Sequence, residues 1–125
     1  MSLSVKHIMM NIWKLKILIV GGTGLIGSQL KNQLIRKGFS INILSRIKSK
    51  DSNTFLWDIN VGYIDLKAFK GVSGVINLTG ANIAGARWTE KRKRTLYDSR
   101  ILSTRLLFES IKKNNILIDF FINSS

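Results

Sequence analysis

A chain of 125 residues has room for one domain with a hydrophobic core, and an apolar content of 45% excludes a disordered polymer. With no cysteine and a single histidine, His7, it offers neither a disulfide framework nor a thiolate metal site, and histidine catalysis has little to draw on. The net charge of +13 suits an anionic partner, while no apolar run reaches the roughly 18 residues that a membrane span needs.

Residues 1–14 contain Lys6, His7 and Lys14 and no acid, and their apolar run is too interrupted for a secretory signal. They read as an N-terminal extension outside the fold, with a mitochondrial leader as the alternative to a cytoplasmic chain. The domain is predicted over 15–125.

The first strand, Leu15 to Val20, carries an unbroken apolar run from Ile17 onward that ends abruptly in glycines. After Gly27 the apolar spacing becomes helical, which is how a buried parallel strand looks when it turns directly into a helix. Gly21, Gly24 and Gly27 stand three residues apart. The first allows a tight turn, the second lets backbone approach a pyrophosphate, and the third lets the helix press on the strand. The free N–H groups at the helix start then face the anion. A glycine-rich turn in some other α/β protein is the plainer reading of the same pattern.

The helix places Leu25, Ile26, Leu30, Leu34 and Ile35 on one side, and Gly38 is set to cap it. Ser40 to Ser45 is a second strand. A strand, helix, strand unit of this length implies a right-handed crossover and a parallel sheet. Where an NAD-binding domain places an acid for the ribose 2′-hydroxyl, this chain has Ser45 and Arg46, with Lys48 and Lys50 close behind. Arg46 can pair with a 2′-phosphate, which favours NADP over NAD; otherwise it is an exposed loop residue.

Asp51 to Asn53 is a turn, and Thr54 to Trp57 is a short third strand ending at Asp58. Asp58 either lies near an adenine or caps the next turn through its own side chain. Ile64 to Lys70 is predicted as a weak helix closed by Gly71, and Gly74 to Leu78 as the fourth strand, followed by Thr79, Gly80 and Ala81. A long helix begins at Trp88 and Thr89, with Leu96, Ile101, Leu102, Leu106, Leu107 and Ile111 on its apolar side, and ends at Asn114 and Asn115. From Arg87 to Lys113 nine basic residues stand against Glu90, Asp98 and Glu109, which is either a solvated face or an anion-binding one. Ile116 to Ile122 is the fifth strand. The fold class is therefore α/β, an incomplete doubly wound parallel sheet of the Rossmann type, with the five strands ordered 3-2-1-4-5.

The loop Gly21-Gly22-Thr23-Gly24-Leu25-Ile26-Gly27 resembles that of extended short-chain dehydrogenases/reductases, the NAD(P)-dependent epimerase/dehydratase superfamily. The stretch from Val75 to Ala84, then Arg87-Trp88-Thr89, Asp98-Ser99-Arg100 and Thr104 to Leu107, is similar to the epimerase-like branch called family 39. The resemblance implies that Gly21, Thr23, Gly24, Leu25 and Ile26, with Gly27 completing the loop, contact the pyrophosphate. It gives Arg46 the 2′-phosphate, Asp58 the adenine, and Leu78, Thr79 and Gly80 the ribose beyond. Ser125 is the first choice, and Ser124 the second, for the catalytic serine that hydrogen-bonds a substrate oxygen while a tyrosine transfers a proton.

Two departures stand out. Arg100 occupies a position where many extended members have asparagine. The Tyr-x-x-x-Lys pair is missing from its place in the fold: Tyr97 has no lysine four residues on, and Tyr63 with Lys67 carries the bare spacing ahead of the fifth strand. The resemblance thus implies a truncated dinucleotide-binding domain that prefers NADP, accepts NAD, and does not turn over by itself. A small-molecule substrate is expected only in a longer form, and the uncovered sheet edge invites self-association. The other classes left open are a basic module for nucleic acid or an anionic surface, and a non-enzymatic dinucleotide sensor.

Overall fold

The computed structural model describes residues 15–21, 25–79 and 89–123. Its centre is β1 (Lys16–Val20), whose last four residues are all buried. A strand apolar on both faces must be covered on both sides, and β1 pairs in parallel with β2 (Ser40–Ser45) on one flank and β5 (Val72–Asn77) on the other. Parallel β3 (Thr54–Asp58) and β6 (Phe120–Asn123) extend the sheet outward from these two. The five parallel strands keep the predicted order.

A sixth strand was not legible in the sequence. β4 (Tyr63–Ile64) folds back antiparallel on β3, pairing Trp57 with Ile64 and Asp58 with Tyr63, so the full order is β4-β3-β2-β1-β5-β6. The helix predicted over Ile64 to Lys70 is correspondingly reduced to one 3-10 turn, Leu66–Phe69, capped by the Asp65 carboxylate, which accepts from the Lys67 N–H at 3.1 Å. Only the stretch from Asp65 to Gly71 separates β4 from β5. A 3-10 turn is what fits, and it sinks Ala68 and Phe69 into the core.

The period-two alternation of β1 sorts its side chains onto two faces. Leu18 and Val20 join Leu44, Trp57, Phe69 and Val75 on one face, covered by Leu107 of α2 (Glu90–Lys113). Ile17 and Ile19 join Ile41 and Ile43 on the other, covered by Leu30 and Leu34 of α1 (Leu25–Arg36). Helices on both faces of a parallel sheet are the doubly wound architecture.

The helical contact faces are narrower than the sequence implied. Ile26 and Ile35 remain 48% exposed, because α1 meets the sheet along the Leu30 and Leu34 side alone. Ile101 and Leu102 are likewise exposed on α2, where Leu106, Leu107 and Ile111 make the contact. The side chains of Leu25 and Leu96, and the helix start at Trp88, lie outside the described residues. α1 ends as predicted at Gly38, whose φ of 97° lets the Phe39 N–H return to the Leu34 carbonyl at 3.1 Å. α2 ends at Lys113, and Asn115 just beyond it is held at φ 52°. Strand β6 is shorter than the predicted Ile116 to Ile122, since the Ile116 N–H still closes the helix on Ile111 and pairing with β5 starts at Phe120.

Candidate functional site

Because the main strands are parallel, their carboxyl ends gather at one edge of the sheet. The chain runs outward from β1 in one direction through β2 and β3, then in the other through β5 and β6. The crevice where these directions part, between the ends of β1 and β5, is where open α/β sheets receive ligands.

Gly21 follows β1 at that point with φ 79°, a left-handed conformation that L side chains rarely adopt. A Cβ there would lie 3.1 Å from both the Leu78 carbonyl carbon and the Thr79 nitrogen. The Leu78 N–H donates to the Val20 carbonyl at 2.8 Å, so the two strand ends are stitched together with no room for a side chain. α1 starts at Leu25, its first backbone N–H groups unclaimed by the helix itself. Gly27 is buried in its first turn, while Ile26 points partly to solvent. Thr23 and Gly24, predicted to lie between Gly21 and the helix, fall outside the described residues, as do Gly80 and the N-terminal extension.

The end of β2 turns on Ser45, which is buried and accepts the Ile47 N–H at 3.0 Å. This leaves Arg46 exposed at the sheet edge. Asp58, at the end of β3, is half-buried, and its Oδ1 accepts the Asn60 N–H at 2.9 Å. The turn-capping alternative is thus realised, with the second carboxylate oxygen retaining acceptor capacity. Leu78 and Thr79 are half-buried beside Gly21, and the Thr79 hydroxyl is buried without a hydrogen-bond partner among the described residues. A buried hydroxyl left in this way is costly unless a ligand or solvent completes it.

Asn77 and Asn123 were missed by sequence reasoning. Asn77 is buried, donates through Nδ2 to Oδ1 of Asn123 at 3.1 Å, and accepts the Thr79 N–H at 3.1 Å. A primary amide inside an apolar parallel strand was the available signal, since buried polar groups in such strands need partners. Ser124 and Ser125 lie outside the described residues and follow directly on Asn123. Tyr63 sits in β4 and Lys67 in the 3-10 turn, separate elements at the β3 edge.

Among the described residues no three or more His, Cys, Asp or Glu side chains group to hold a metal. No helix of these residues is long and apolar enough to cross a membrane. The basic residues of α2 include exposed Lys91, Arg94 and Arg105, while Lys93 pairs with Glu90 at 3.3 Å.

The family model described as NAD dependent epimerase/dehydratase matches residues 17–125. An epimerase family protein of Staphylococcus aureus (strain MRSA252) is 38% identical over 111 residues, which cover 86% of this chain and 36% of the relative. The crystal structure of human epimerase family protein SDR39U1 (isoform 2) with NADPH superposes with a TM-score of 0.67 at 26% identity, covering 87% of this chain and 36% of that one. The fold is also that of dTDP-glucose 4,6-dehydratase from Bacillus anthracis in complex with NAD, with a TM-score of 0.54 at 20% identity over 85% of this chain and 36% of that one. The chain therefore spans about a third of the length of these relatives.

Proposed function

The chain belongs to the NAD dependent epimerase/dehydratase family, and from that premise we propose that it forms the dinucleotide-binding part of an epimerase-like oxidoreductase, with NADPH preferred over NADH. The observation that carries this reading is the close approach of Gly21 to Leu78 and Thr79 at the switch point. A crevice built by two backbones with no intervening Cβ suits a flat, anionic ligand approached by N–H groups. The orphaned Thr79 hydroxyl beside it fits a sugar hydroxyl as its missing partner.

In this reading Gly21, Thr23, Gly24, Leu25 and Ile26, with Gly27, hold the pyrophosphate at the start of α1. Leu78, Thr79 and Gly80 meet the ribose beyond, and Asp58 meets the adenine with the oxygen its turn leaves over. Arg46, free at the end of β2, takes the 2′-phosphate; its guanidinium offers a planar fork of donors that matches the group. The NADPH in the structure of the human relative supports a nicotinamide dinucleotide as the ligand. A bound nicotinamide supplies a hydride donor or acceptor. Ser125, or Ser124 as second choice, orients a substrate oxygen next to it. Since neither Tyr63 nor Tyr97 stands in the place of the family's proton-transferring tyrosine, the 125-residue chain binds the dinucleotide without turnover.

The test is calorimetric titration of the chain with NADPH and with NADH, repeated on Arg46→Ala. Tighter binding of NADPH, cut about tenfold or more in the variant with NADH little changed, is expected for loss of a charge-assisted hydrogen bond. Equal affinities in both proteins overturn the preference. Binding of neither dinucleotide, with salt-sensitive binding of nucleic acid instead, overturns the reading as a whole.

A further inference from the structure

Asn77 closes β5 with an amide that is only 4% exposed. A buried primary amide has two N–H donors and an acceptor oxygen to satisfy, and leaving any of them unpaired is costly. Its partners here lie on three separate elements. Nδ2 donates to Oδ1 of Asn123 at the end of β6 at 3.1 Å and, more weakly, to Oγ1 of Thr104 on α2 at 3.4 Å. Oδ1 accepts the Thr79 N–H at 3.1 Å. The Thr79 backbone is the same segment that Gly21 approaches from β1. One side chain therefore fastens the turn after β5 to the end of β6.

We infer that Asn77 is a positioning residue that couples the Leu78–Thr79 turn to Asn123, so that the dinucleotide-facing backbone and the end of β6 are held in one register. The part of this that concerns a dinucleotide rests on the proposed function; the coupling between the two strand ends does not. Buried hydrogen bonds act as a unit in a low local dielectric, so loosening one partner loosens the others. Reactive groups on two strand ends need a fixed separation, and a shared buried amide supplies it at the edge where both strands stop.

Asn77→Ala removes a buried amide and risks unfolding the sheet, so the decisive variant is Asn123→Ala, which alters an exposed residue on a different strand. Hydrogen exchange resolved at the Thr79 amide is compared among wild type, Asn123→Ala and Asn123→Asp, and each protein is titrated with NADPH by its fluorescence. Asn123→Ala is expected to speed Thr79 exchange by several-fold up to about tenfold, the scale of one lost hydrogen bond, with β2 and β3 amides unchanged. NADPH binding should weaken by a similar factor. Asn123→Asp, which keeps an acceptor for Nδ2, restores both. Unchanged Thr79 exchange in Asn123→Ala overturns the coupling, and faster exchange with unaltered NADPH affinity overturns the positioning role. If wild type binds no NADPH the proposed function fails, and the exchange comparison still decides the coupling.

Discussion

Alanine at position 21 would set a Cβ 3.1 Å from the Leu78 carbonyl carbon and the Thr79 nitrogen, on a backbone whose φ is 79°. Both neighbours are main-chain atoms tied to β1 by the hydrogen bond from Leu78 to Val20, so they cannot swing aside as a side-chain tip would. Gly21→Ala is expected to cost about 1–3 kcal/mol for the left-handed conformation and the crowding together, read as a lower denaturant midpoint, and to weaken NADPH binding beyond detection. Retained stability and affinity would show that the crevice opens freely. The tight turn at Gly21 was legible because a glycine that ends an apolar strand has few other reasons to be there. Asn77 was not, since nothing in the order of residues says that its partners on β6 and α2 are 46 and 27 positions away.

At the scale of elements, β5 and β6 are locked by a ring laid over a glycine. Gly74 pairs with Phe120, and a Cβ on Gly74 would enter the Phe120 ring, which packs into the cluster around Ile17 and Ile19. Gly74→Ala should therefore destabilise the sheet by roughly 1–3 kcal/mol, as overpacking does; Phe120→Leu in the same background should recover part of it. Thermal unfolding of the two variants checks this, and a neutral Gly74→Ala would mean the ring moves without resistance. The strands and both helices were legible because apolar runs and helical spacing are local properties. β4 was not: two residues carry no periodicity, and their pairing with β3 depends on the turn that Asp58 closes.

At the scale of the molecule, β6 is the last strand on its side of the sheet among the described residues, which leaves its outer edge without a strand partner there. Beside that edge the Phe108 and Phe121 rings stack at 4.6 Å, Phe108 stays 47% exposed and Ile122 51% exposed. An open strand flanked by apolar surface is a template for pairing with another chain. We expect the chain to self-associate through this edge, more at high salt, where screening relieves the repulsion between copies of net charge +13. Light scattering across a salt series should show growth that Ile122→Lys suppresses; a monodisperse monomer at every salt concentration would rule the edge out.

The sequence by itself determined the parallel strands, their order, the turn at Gly21 and the family, because each is written in short-range pattern: apolar runs, helical spacing and glycines at a strand end. Only the tertiary structure decided the antiparallel β4, the narrowness of the helical contact faces, the turn-capping work of Asp58 and the bracket that Asn77 makes across β5, β6 and α2. Those depend on which distant residues meet once the sheet has closed. A hydrogen bond or a ring contact between positions far apart in the chain leaves no local periodicity behind it.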